Sequence, residues 1–148
     1  MESLNITFII IGALIAFALF WSAIVWIIAQ LAGWPQLAEK YPGREPWNPQ
    51  CWSLQSALFR GWAQYRSSIR VCADSESLHL SAIFPFSVAN KPITVPWHEI
   101  QGVKKTRWFY YGVELRFQQA PDIPVNITTH LADRLVEATG GVWQYEKG

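Results

Sequence analysis

Between Glu2 and Glu39 the chain carries no charged side chain, and Ile6–Leu31 within that interval is almost wholly apolar. Hydrocarbon has no water to satisfy a charge or a bare amide. A run this long is therefore either a membrane span or a signal that is removed. A bilayer core takes about 20 helical residues, so the segment crosses with some tilt or overhang. A secretory signal opens with cations, carries an apolar core of about 7–15 residues and ends in small residues. This chain opens Met-Glu-Ser, its run is longer, and Ile28, Gln30 and Leu31 stand where cleavage needs small side chains. The sequence predicts a retained transmembrane anchor over residues 1–33. Gly12, Ala13, Ala16, Ser22 and Ala23 offer a small-residue face for helix pairing, with a lipid-facing anchor as the plainer expectation.

Orientation rests on few charges. The amino-terminal side has its α-amine and Glu2, whereas Lys40 and Arg44 follow the run. The positive-inside bias then puts the C-terminal part in the cytoplasm. Cys51 and Cys72 leave the compartment open, since they pair in an oxidising one and stay reduced in cytosol. The sequons at Asn5 and Asn126 abut the span and fall in an expected strand, so both read as chance.

Trp34–Tyr41 reads as a short interfacial helix, with Pro35 suited to its first turn. Its apolar face lies either on the headgroup boundary or on the following domain. Amphipathic rings favour that boundary, so Trp34 and Tyr41 are expected at the membrane interface. Pro42–Pro49 holds three prolines and a glycine, forbids a regular element and reads as a semi-rigid linker. Residues 34–50 are thus an interfacial helix plus linker, and residues 51–148 a separate domain.

From Trp52 to Thr128 the apolar period is two. Strands are expected at Trp52–Arg60, Ser67–Ala73, Leu78–Phe84, Ile93–Pro96, Gln101–Phe109, Tyr110–Phe117 and Ile123–Ile127, with Asp74–Ser77 as a turn and Trp97–Ile100 as one helical turn. A closing helix follows. Thr129 is its expected cap, Leu131, Leu135 and Ala138 form an apolar stripe with Ala132 and Val136, and Gly140-Gly141 end it. About seven strands at this spacing predict a sandwich or barrel, and the helix must bury its stripe on it.

This order of elements resembles the pleckstrin-homology-like fold, a bent seven-stranded barrel capped by a C-terminal helix. The stretch Ile93-Thr94-Val95-Pro96-Trp97-His98-Glu99-Ile100-Gln101-Gly102-Val103 resembles the strand, polar turn and E-I-x-x-V step of GRAM-type and bacterial PH-like domains, and Leu78-His79-Leu80-Ser81 and the terminal helix fit the same pattern. The hydrophobic N-terminal segment is similar to that of bacterial membrane proteins anchored in the inner membrane. The resemblance implies a mainly-β PH-like barrel over Trp52–Gly141. Phosphoinositide-binding members carry a dense basic cluster in the first hairpin; here Arg60, Arg66 and Arg70 are spread apart with no lysine among them.

No catalytic constellation emerges. His79, His98 and His130 lack a second ligand at metal spacing, and His79 and His98 read as surface strand or turn residues. Asp74, Glu76 and Glu99 read as turn acids. No phosphate-binding loop or nucleophile elbow occurs, and a net charge of +1 offers no nucleic-acid field. No cofactor, metal or nucleic acid is expected. One stretch exceeds its surroundings: Lys104, Lys105 and Arg107 adjoin Trp108, Phe109, Tyr110 and Tyr111 at a hairpin tip. Cations beside exposed rings suit a headgroup interface or a protein partner; the plainer alternative is that the rings close the end of the barrel. The expected contact residues are Lys104, Lys105, Arg107, Trp108 and Phe109. The expected function is a non-catalytic, membrane-anchored module docking a protein or the lipid surface. The alternative is an accessory subunit of an inner-membrane complex whose transmembrane helix makes the specific contact.

Overall fold

The computed structural model describes residues 2–83, 87, 90–105 and 111–146. Helix α1 runs Glu2–Ala32 and α2 runs Trp34–Lys40. Strands β1 (Gln50–Phe59), β2 (Ala63–Ala73), β3 (Ser77–Ala82) and β4 (Ile93–Pro96) form one antiparallel meander. A 3₁₀ turn at Trp97–Glu99 leads into β5 (Ile100–Lys104), β6 (Val113–Phe117) and β7 (Ala120–Ile127), a second meander. Helix α3 (Thr129–Ala138) and a short β8 (Tyr145–Glu146) close the chain. β1 pairs with β7, so the two meanders join in one open sheet of eight strands, ordered β4-β3-β2-β1-β7-β6-β5-β8.

The long apolar helix, the mainly-β domain and the closing helix are those expected. Among the described residues the strands number eight, because Tyr145–Glu146 returns after α3 to pair in parallel with β5. Two residues have no periodicity to read. Their place is set by Trp143, whose indole N–H donates to the Ile100 carbonyl, and by Gly102, where an added Cβ would lie 2.8 Å from Tyr145 and 2.9 Å from Trp143. The helix cap is Thr128, one residue before the expected Thr129, with its hydroxyl accepting from the Leu131 N–H. Gly140 and Gly141 take the left-handed conformation and end α3 as expected. Within β1 and β2 the register slips between Trp52 and Gln55 and again between Gln55 and Ala57. Leu54 and Ser67 have positive φ there, and such bulges bend the strands that carry them.

The core reaches back past the expected boundary at Cys51. Ala32, Trp34, Leu37 and Tyr41 belong to the same buried cluster as Phe59, Tyr65, Val113, Phe117, Ile123 and Leu135. Trp34 and Tyr41, expected on the membrane interface, are 0% and 3% exposed. The Trp34 ring stacks on Phe59 at 5.0 Å and lies 5.4 Å from Tyr65, while its indole N–H donates to the Lys91 carbonyl. A ring so enclosed reaches no headgroup. The alternative face for α2, the domain itself, is the one observed. Gly33 makes the junction possible. Its φ of +93° turns α1 into α2, and a Cβ there would sit 2.9 Å from the Ile123 side chain.

Two outcomes follow for stability. A fragment beginning at Ala29 should melt in one cooperative transition, whereas one beginning at Cys51 lacks the Trp34 and Leu37 side chains and should melt broadly or aggregate on heating; circular dichroism of both separates the cases. Leu135, 1% exposed at the centre of the α3 stripe, should cost about 2–5 kcal/mol when changed to Ala, read by denaturant unfolding in detergent.

Candidate functional site

The register of the first meander lines up polar side chains that the sequence scatters. Cys51 pairs with Cys72, Cys72 with His79, and His79 with Thr94, so the four form one row across β1, β2, β3 and β4. They lie on the face opposite the inward Leu78, Leu80, Ile93 and Val95, because strand side chains alternate. Cys51 and Cys72 are joined by a disulfide, the outcome that the sequence left open. His79 and Thr94 are buried although they point away from the core. The cover is the Pro42–Pro49 segment. The Thr94 N–H donates to the Tyr41 carbonyl, Pro42 bridges Ile93, the Arg44 N–H donates to Thr94 Oγ1 at 2.8 Å, and the Trp47 N–H donates to Asp74 Oδ2. The expected linker is thus a strap laid over the sheet.

Asp74 organises the end of the row. Its Oδ1 accepts from the backbone N–H groups of Glu76 and Ser77, which makes the expected turn. Its Oδ2 lies 2.7 Å from His79 Nε2, and His79 Nδ1 lies 2.9 Å from Thr94 Oγ1. An ionised carboxylate only accepts, so Nε2 carries a proton and donates it to Asp74. Desolvation pushes the Asp74 carboxyl up, but the hydrogen bond from His79, the two backbone donors and the attraction of the His79 ring when it is protonated outweigh it, and the net shift is downward. His79 therefore departs from its expected surface position. His98 is exposed, and so is His130.

Beside the row lies an open cleft of ≈ 630 Å³ bordered by Arg44, Arg70, His79, Ser81 and the disulfide. Chemically, the Asp74–His79–Thr94 chain has the members of an acid–base relay. Yet Thr94 is 4% exposed and its oxygen already accepts from the strap. Freeing it as a nucleophile means lifting residues 42–47, so the arrangement as it stands fastens the strap. Among the described residues no three His, Cys, Asp or Glu side chains gather as a metal site.

The expected contact residues fall in two places. Lys104 and Lys105 are exposed at the end of β5, where Lys104 borders a shallow cleft with Asp133 and Tyr145. Arg107, Trp108 and Phe109 lie outside the described residues. The Tyr145 hydroxyl donates to Asp133, which, with burial, pushes its pKa up to about 12. Tyr41 also sits above its ordinary value, chiefly through burial; its hydroxyl donates to Glu99 and accepts from the Gln119 N–H. No signal in the sequence alone marks the Cys51–Cys72–His79–Thr94 row, because it exists only once the register is known. The nearest hint is Asp74 beginning a turn five residues before His79. No family model, curated protein or solved structure matches the chain.

Replacing Asp74 by Ala strands the N–H groups of Glu76 and Ser77 and the ring of His79, and should cost about 1–3 kcal/mol in thermal or denaturant unfolding. The folded carboxyl lies below its ordinary value of 3.8. Its stabilisation is therefore present above that value and is lost as pH falls through the lower folded one. Asp74→Asn should lower the plateau of stability near neutrality and remove this part of the acid-side decline, so the wild-type and variant curves converge at low pH.

Proposed function

We propose that this protein is a membrane-anchored, non-catalytic binding module, crossing the bilayer once through α1 and holding its sheet domain against the membrane surface. The observation that carries the reading is the exposure of α1. Phe8, Ile9, Leu14, Phe17 and Phe20 are all more than half exposed, and within the helix only Val25, Ala29 and Ala32 are buried. A helix apolar on all sides has its stable place in hydrocarbon. At about 1.5 Å per residue its 31 residues reach about 46 Å, enough for a bilayer core of about 30 Å with an overhang.

The PH-like reading of the domain is supported by its element order: four strands, three strands and a helix, with β1 and β7 side by side. The non-catalytic reading is supported by the Asp74–His79–Thr94 chain, whose polar groups are engaged with one another and with the strap. The contact surface in this reading includes the end of β5. Lys104 and Lys105 are exposed there, and near an anionic leaflet each cation contributes about 1 kcal/mol that salt weakens.

Two features bear on the side of the membrane. Lys40 and Arg44 favour a cytoplasmic domain, the expectation from sequence. The Cys51–Cys72 bond favours an oxidising compartment, because cytosolic thiols are kept reduced. The bond is the stronger feature. It joins the chain's two cysteines at directly opposed positions, whereas the charge bias rests on two cations. We therefore propose that the domain faces the oxidising side.

The test is extraction combined with labelling. Alkaline carbonate should leave the full chain in the membrane pellet, and a maleimide that cannot cross membranes should modify the cysteines of intact cells only after reduction. Release into the supernatant removes the anchor. Free thiols that label only after cell lysis return the domain to the cytoplasm.

A further inference from the structure

Four apolar side chains of the last turns of α1 remain exposed: Trp26, Ile27, Ile28 and Leu31. Beside the last of them, Leu31, lies the β1–β2 turn. Arg60 reaches from it to donate to the Leu31 carbonyl at 2.9 Å, and its other amino group lies 3.7 Å from Asp122. This guanidinium caps the negative end of α1 and fixes the level of the turn on the helix axis. Two residues on, Trp62 is 51% exposed, on a turn held by positive φ at Arg60 and Gly61 and by the bond from the Trp62 N–H to the Phe59 carbonyl. An exposed indole is costly in water and at home at headgroup level, where an arginine also keeps its charge hydrated.

We propose that the turn Arg60–Gly61–Trp62 is a second membrane contact, with the Trp62 ring seated in the headgroup layer beside the end of α1. The proposal rests on the reading of α1 as the anchor. Its occupant is the lipid surface, argued from continuity: from Phe8 the exposed apolar belt of the helix reaches Leu31 with no charged side chain and only the half-buried Ser22 and Gln30 as polar interruptions, and the turn is hydrogen-bonded at that level. With two points of attachment the domain has one orientation on the bilayer. Trp34, the ring that the sequence offers for this role, is enclosed in the core, and Trp62 takes its place.

Hydroxyl-radical footprinting of the wild-type full chain tests this, at one chain per phosphatidylcholine nanodisc, with oxidation read peptide by peptide. Three tryptophans share one chemistry. Trp26 and Trp62 are 56% and 51% exposed, and Trp47, on the strap, is 85% exposed. Accessibility of the chain alone separates them less than about twofold. The expected result is Trp26 nearly silent and Trp62 oxidised about fivefold less than Trp47, as a headgroup-level ring would be. Trp62 within twofold of Trp47 while Trp26 is silent overturns the second contact and leaves the anchor standing. Trp26 oxidised as strongly as Trp47 overturns the anchor, and the second contact with it.

Discussion

The indole of Trp34 packed on Phe59 and Tyr65 is the contact on which the rest of the structure depends. It lies two residues beyond the end of α1, so it ties an otherwise exposed helix to the centre of the sheet. Gly33 supplies the left-handed turn that points the ring inward, and Ile123 fills the space where a larger residue would stand. Ala29 and Ala32, both wholly buried, complete the seam. An anchor joined by a flexible linker lets its domain wander through every orientation. A seam of this kind removes that freedom, and the Arg60 bond to Leu31 adds a second restraint on the same junction.

The strap follows from the same geometry. Once α2 is buried and Tyr41 is held by Glu99 and Gln119, the chain emerges beside β4 and must cross the outer face of the first meander. Its prolines keep it extended, which leaves backbone donors free to reach Thr94 and Asp74. This covering explains a buried histidine on a face that would otherwise be wet. A polar row under a cover is stable only when each member has a partner, and the Asp74–His79–Thr94 chain meets that condition.

How much of this was legible in the sequence depends on whether a feature is local. The charge-free run, the Asp74 turn, the Trp97–Glu99 turn and the stripe of α3 with its two glycines are local patterns, and each is found where its residues predict it. The cap of α3 moved by one residue because Thr128 and Thr129 are both competent and only the backbone decides between them. Trp34 is ambiguous in the sequence because a ring just after an apolar run fits the interface and the core equally well; only the fold shows Phe59 and Tyr65 against it. The Cys51–Cys72–His79–Thr94 row needs a register, and the register depends on bulges at Leu54 and Ser67 that neither side chain announces. Arg60 is one of three scattered cations in the sequence, and its role depends on the Leu31 carbonyl, which only the fold brings beside it.

The central claim is that the junction and the sheet are one folded unit. Native-state hydrogen exchange of the full chain in nanodiscs tests it most directly, comparing the amides of Leu37 and Tyr41 in and after α2 with those of Ile69 in β2 and Val125 in β7. The account predicts equal protection at all four, set by global unfolding of the domain. Early exchange at Leu37 and Tyr41, with the two strands still protected, would contradict it and make the junction a hinge.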